Sequence, residues 1–126
     1  MGEIIGLRCS GCGKSWNIKL GHGLLHWNKD AIINEFSAEK AESVKTFYDI
    51  NESPFFSFVP VICKTCRDFV SVPAIFPDAN KQNVGIWNPC PVCNNINTIP
   101  VLEGKELVCP RCSCNKIDWE TLGTWD

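Results

Sequence analysis

The chain has 126 residues, 44% of them hydrophobic, 21% charged and 10% aromatic, with a formal net charge of −2. That composition suits one ordinary domain or two small ones and excludes a disordered or low-complexity chain. No apolar run reaches the roughly 18 residues needed to cross a bilayer. The opening Met1-Gly2-Glu3-Ile4-Ile5-Gly6 lacks the basic flank and apolar stretch of a secretory signal. Gly6 also stands where a myristoylation signal places Ser or Thr. Membrane and secreted readings are set aside, and a cytoplasmic location is expected.

In chain order, Glu3–Arg8 and Ser15–Leu20 read as strands, with Trp16, Ile18 and Leu20 alternating onto one face. Gly21-His22-Gly23 turns the chain. Asp30–Ile50 has helical character, with Ile33, Phe36, Val44, Phe47 and Tyr48 on one stripe and a break near Ser37. Ser37 is placed to cap a second helix from Ala38, with Glu39 favourable in its first turn. Asn51-Glu52-Ser53-Pro54 ends it. Phe55–Ile62 is an apolar strand that Pro60 marks as an edge or a bulge, and Arg67–Ala74 is another. The polar, breaker-rich stretch from Pro77 to Asn83 reads as a boundary. Beyond it, Thr98–Leu102 and Lys105–Val108 are expected to form a hairpin around Glu103-Gly104, and Lys116–Leu122 a third strand. The expected organisation is an N-terminal unit at 1–77 with a helical insertion at about 28–50, a linker at 78–85, and a C-terminal unit at 86–126.

Nine cysteines dominate the chemistry. Eight form four identical spacings: Cys9-Ser10-Gly11-Cys12, Cys63-Lys64-Thr65-Cys66, Cys90-Pro91-Val92-Cys93 and Cys109-Pro110-Arg111-Cys112. Two intervening residues let a tight turn aim both sulfurs at one point, and two such turns supply a tetrahedral site with metal–sulfur distances of about 2.3 Å. A redox pair would need a helix after it, and none of the four has an obvious one. Haem attachment would need His after the second Cys, where Gly13, Arg67, Asn94 and Ser113 stand instead. Iron in the same geometry is the remaining rival of zinc. Two zinc ions are expected. Cys114 is left over and reads as a partly buried free thiol.

Which turns share an ion is a separate question. The 15 residues between Cys93 and Cys109 suit one four-cysteine site. Sequential pairing is therefore expected, with Cys9, Cys12, Cys63 and Cys66 on one ion and Cys90, Cys93, Cys109 and Cys112 on the other. Two alternatives stand beside it: a nested pairing, in which Cys63/Cys66 join Cys90/Cys93 and the outermost pairs meet, and a cross-braced one. Loop closure differs by only about 0.6 kcal/mol per doubling of length and does not decide among them.

With Cys-Pro-Val-Cys, a hairpin-length spacer and Cys-Pro-Arg-Cys, residues 86–122 resemble a zinc ribbon with rubredoxin-type knuckles. Leu7-Arg8-Cys9-Ser10-Gly11-Cys12-Gly13-Lys14 resembles the first knuckle of a second ribbon. The resemblance implies a small, metal-bound, mainly β fold of two zinc ribbons, the first carrying the helical insertion. It implies metal and fold but no particular activity. Such knuckles often carry Gly after the second Cys, where φ is positive. Gly13 and Asn94 suit that conformation, whereas Arg67 and Ser113 suggest distorted knuckles.

No enzyme is expected. Eight paired cysteines fill two sites with no vacancy for water or substrate. Gly21 and Gly23 oppose a helix that would align His22 with His26, and no Glu follows His22 as in a metalloprotease motif. Glu35, Glu39 and Glu42 read as a solvated helix face. Two four-thiolate zinc sites would take the formal charge from −2 to about −6. Lys14, Lys19, Lys64, Arg67, Lys105, Arg111 and Lys116 lie near the knuckles but are dispersed in sequence. The expectation is a protein-interaction module with an unidentified protein partner. Nucleic-acid binding is the alternative, in which the tryptophans would stack on bases. The segment from Gly21 to Ser57 is the largest addition to the knuckle plan. It is read either as core or as a docking element anchored by Trp27 and by Phe55 or Phe56.

Overall fold

The computed structural model describes residues 2–23, 28–52, 54–78, 80–81, 84–96, 98–101 and 107–125. Alternation builds the first hairpin. Strands β1 (Gly2–Cys9) and β2 (Ser15–Leu20) pair antiparallel from Glu3↔Leu20 to Arg8↔Ser15. Ile5, Leu7 and Cys9 from β1 and Trp16 and Ile18 from β2 are buried, as a period of two requires. His22 and Gly23 follow, and His26 and Trp27 lie outside the described residues.

The broken helix is as expected. Helix α1 (Lys29–Glu35) starts at Asn28, whose side chain accepts from the Asp30 N–H at 2.8 Å. The chain leaves helical geometry at Phe36, and α2 (Ala38–Ile50) begins after Ser37 with Glu39 in its first turn. Ser37 occupies the N-cap but its hydroxyl makes no cap bond. Its backbone N–H instead donates to the Asn88 side-chain oxygen at 2.9 Å. Ile32, Ile33, Phe36 and Val44 face inward against Phe56, Phe58 and Ile75.

Those three residues belong to the second hairpin. Strands β3 (Phe55–Cys63) and β4 (Asp68–Phe76) pair along their whole length, from Phe55↔Phe76 to Cys63↔Asp68. Nearly every residue of β4 is buried, because the helices cover one side while Val59, Val61, Val70, Val72, Ala74 and Phe76 form a second cluster with Cys63 and Cys90. β2 lies against this hairpin. The Trp16 ring meets Phe69 edge-on with centroids 4.9 Å apart, and Gly21 and Phe58 exchange backbone hydrogen bonds.

The remaining strands are divided between two sheets. β5 (Ile86–Trp87) and β6 (Thr98–Pro100) flank β4 and β3, giving the order β5-β4-β3-β6. β7 (Ile117–Trp125) pairs with β1, giving β2-β1-β7. Strand pairing therefore crosses the expected linker at 78–85, and residues 86–126 contribute to both sheets instead of forming a ribbon of their own. The Trp125 indole seals this arrangement, donating to the Leu20 carbonyl at 3.0 Å and meeting Phe58 edge-on.

Several local expectations are corrected. β3 is an inner strand; Pro60 sits where its pairing with β6 runs out, so the missing N–H interrupts no ladder beyond Val61↔Pro100. β7 extends past Leu122 to Trp125, carried by its register with β1 as far as Gly2↔Trp125. Of the expected hairpin around Glu103-Gly104, 102–106 lies outside the described residues, Thr98–Pro100 is β6 and pairs with β3, and Leu107 and Val108 are not in a strand. Phe56 is 4% exposed and packs between helices and sheet, so it is core and not a docking anchor. Phe55 is half-buried and stacks on Phe76.

Candidate metal centres

Each Cys-x-x-Cys turn closes in the same way. The backbone N–H of the residue after the second cysteine donates to the carbonyl of the first: Gly13 to Cys9 at 2.9 Å, Arg67 to Cys63 at 2.8 Å, Asn94 to Cys90 at 2.8 Å and Ser113 to Cys109 at 3.0 Å. All four donors have positive φ, at 77°, 58°, 57° and 63° respectively. Arg67 and Ser113 thus adopt the left-handed backbone that glycine occupies at no steric cost. The expected distortion of their knuckles is absent. The turns also aim N–H groups at sulfur: Cys12 N–H lies 3.5 Å from Cys9 Sγ, Cys66 N–H 3.4 Å from Cys63 Sγ, and Arg111 N–H 3.4 Å from Cys109 Sγ.

The four turns meet in two tetrads. Cys9, Cys12, Cys109 and Cys112 form one, and Cys63, Cys66, Cys90 and Cys93 the other, with the sulfurs of each within 4.8 Å of one another. The pairing is nested, and the expected sequential pairing is overturned. The reason lies in the strands. β7 begins shortly after Cys112 and pairs with β1, which ends at Cys9, so the first and last knuckles are brought together. β6 follows Cys93 and pairs with the end of β3, which ends at Cys63, and this joins the two inner knuckles.

Both tetrads fit a tetrahedral ion. Metal–sulfur bonds of about 2.3 Å place sulfurs about 3.8 Å apart. The observed separations are 3.4 Å for Cys9–Cys112, 3.8 Å for Cys12–Cys109, 3.6 Å for Cys63–Cys93 and 3.9 Å for Cys66–Cys90. In each turn the first cysteine (Cys9, Cys63, Cys90 and Cys109) is buried. Both groups of four cysteines could hold a metal ion.

Protonation follows from this crowding. The Cys12 N–H, aided by the Cys112 thiol, pulls the Cys9 thiol down to about 6 against the effect of burial. For Cys63, burial is outweighed by the Cys66 N–H and the Cys93 thiol, and its pKa falls. Their partners move the other way. The Cys93 thiol and then burial push Cys66 up to about 12. The Cys114 N–H draws Cys112 down, but Cys9 and burial outweigh it and leave Cys112 at about 12. Each tetrad thus favours one early thiolate and resists the next, and a cation is what would let four thiolates coexist.

Residues unmarked by any motif tie the centres together. The Asp68 carboxylate accepts from Trp16 Nε1 at 2.9 Å and from Arg111 Nη2 at 2.9 Å. Burial raises its pKa, but these donors outweigh burial and hold it below the ordinary carboxylate value. The buried Asn88 anchors the chain two residues before Cys90 to the helix break at Ser37. Only position after a knuckle could have drawn attention to Asp68, and nothing in the sequence links it with Arg111. Cys114 lies outside both tetrads; a methyl group added at Gly11 would approach its Sγ to 3.0 Å, so the first and last knuckles are in close contact.

His22 is half-buried with its ring edge-on to Phe55 at 5.9 Å, and Glu35, Glu39 and Glu42 are exposed. Among the described residues no helix is long and apolar enough to cross a membrane. Comparison with protein-family models, with curated proteins and with solved structures finds no match for this chain.

Proposed function

We propose that the chain is a non-enzymatic, cytoplasmic protein-interaction module held together by two structural zinc ions, an adaptor or small subunit of a larger complex. The observation that carries this reading is the closed composition of both tetrads, each with four thiols converging on one point. Catalytic zinc keeps a position open for water or substrate, whereas four thiolates complete a structural site. Soft sulfur donors in tetrahedral array favour zinc, with iron as the rival. The four like turns and their positive φ values support a relation to zinc ribbons, here with knuckles shared across two sheets. Zinc at such sites contributes apparent binding energy of about 10–16 kcal/mol, which would be drawn on for folding.

What remains for function is the surface that the metal-bound turns present. Val92, inside one knuckle, is 77% exposed, and Ile96, three residues beyond Cys93, is 80% exposed. Apolar side chains displayed on a fixed turn are suited to a protein partner. Arg67 and Arg111 are directed to acceptors within the chain, which weakens the nucleic-acid alternative that depends on free basic surface.

The test is capture of partners by the intact protein, with and without nuclease, beside the double variant Val92→Asp/Ile96→Asp. The expected result is nuclease-resistant capture that the double variant loses while retaining two zinc ions. Capture abolished by nuclease and unaffected by the double variant would favour nucleic acid instead.

A further inference from the structure

The knuckle at 63–66 and the knuckle at 109–112 serve different tetrads, yet they are bonded to each other. Arg67, the residue after Cys66, donates from Nε to the Pro110 carbonyl at 3.5 Å and from Nη2 to the Arg111 carbonyl. Arg111 returns Nε and Nη2 to Asp68 Oδ1, at 3.2 and 2.9 Å. The same oxygen accepts from Trp16, on the strand that leaves the knuckle at 9–12. One carboxylate beside the inner tetrad therefore holds elements of both knuckles that form the outer tetrad.

We propose that the two metal centres load cooperatively, with Arg67, Asp68 and Arg111 carrying the coupling between them. This rests on the reading of both tetrads as metal sites. An ion bound by Cys63, Cys66, Cys90 and Cys93 fixes the turn from which Arg67 and Asp68 project. Those side chains then hold Pro110 and Arg111 where Cys109 and Cys112 face Cys9 and Cys12. The reverse effect has the same size, since coupling between two binding equilibria is reciprocal. Shortening of the outer loop by the inner site adds little, because closure cost grows only with the logarithm of loop length. The hydrogen-bonded bridge is the part that links the two sites.

The experiment titrates the metal-free, full-length protein with Zn²⁺ and reads by native mass spectrometry the chains carrying zero, one and two ions. Independent sites of equal affinity would leave about half the chains with one ion at half loading, and unequal sites more. Tenfold coupling lowers that share to about a quarter. The expected result is a quarter or less in the unaltered protein, rising to about half in Asp68→Asn and in Arg67→Gly. Arg67→Gly removes the guanidinium while suiting the positive φ, so it keeps the test valid if Asp68→Asn fails to fold. A singly loaded share of half or more in the unaltered protein would overturn the proposal, as would an unchanged low share in Arg67→Gly. Saturation at fewer than two ions would be a different failure, that of the metal reading itself.

Discussion

The sulfurs of Cys9 and Cys112, 103 positions apart in the chain, lie 3.4 Å from each other. One tetrad therefore clasps the two ends of the chain, and the other is enclosed between its knuckles. The outer clasp and the β1–β7 pairing support each other, because β7 begins shortly after Cys112 and pairs with β1 up to Cys9.

Cys112→Ser should reduce bound zinc from two ions to one at saturating metal. Amide exchange should rise in β1 and β7 and remain slow in β3 and β4, whose full-length pairing is closed by the other tetrad. Exchange that rises first around β5 and β6 would contradict the nested arrangement.

Metal affinity should fall in acid. Bound cysteine is thiolate, so protons compete with the ion. Cys9, at about 6, is already largely ionised near neutrality, while Cys112, at about 12, must give up its proton on binding. Below about 6 Cys9 is protonated as well, and the dependence on pH should steepen. Competition with a chelator of known proton affinity should show zinc binding weakening by at least about tenfold per pH unit there. A flat profile would argue against thiolate ligation.

Ser113→Gly should stabilise the metal-loaded protein. Ser113 is held at φ 63°, a conformation that costs a residue with a side chain about 1–2 kcal/mol. Part of the gain is offset by the greater freedom of glycine in the unfolded chain, leaving roughly 0.5–1 kcal/mol, readable as a higher denaturant midpoint with unchanged slope.

Asn88→Ala should destabilise by about 1–3 kcal/mol, because the Ser37 N–H at the helix break loses its acceptor in a partly buried site. Thermal unfolding at saturating zinc would register this, with the metal count still two. No loss of stability would mean that the helices are not held through this contact.

The parts legible in the sequence are those decided over a few residues. The Cys-x-x-Cys turns are local, and the chain break at Ser37 with Glu39 beyond it follows from capping preferences. Their pairing was not legible, because it depends on which distant strands meet, and loop entropy discriminates weakly between 15 and 96 intervening residues. Trp119 pairs with Leu7 and Thr98 with Cys63, and neither alignment leaves a trace in spacing. Phe56 shows a second limit. An aromatic pair before an apolar strand reads equally as anchor or core until the helices above it are placed. Asp68 shows a third, since a carboxylate acquires its role only once Trp16 and Arg111 converge on it.

The nested arrangement of the two centres is tested most directly by cadmium NMR of the metal-substituted protein, in which scalar coupling connects each ion to the β-protons of its own cysteines. One cadmium resonance should correlate with Cys9, Cys12, Cys109 and Cys112, and a second with Cys63, Cys66, Cys90 and Cys93. A resonance shared by Cys9, Cys12, Cys63 and Cys66 would contradict it.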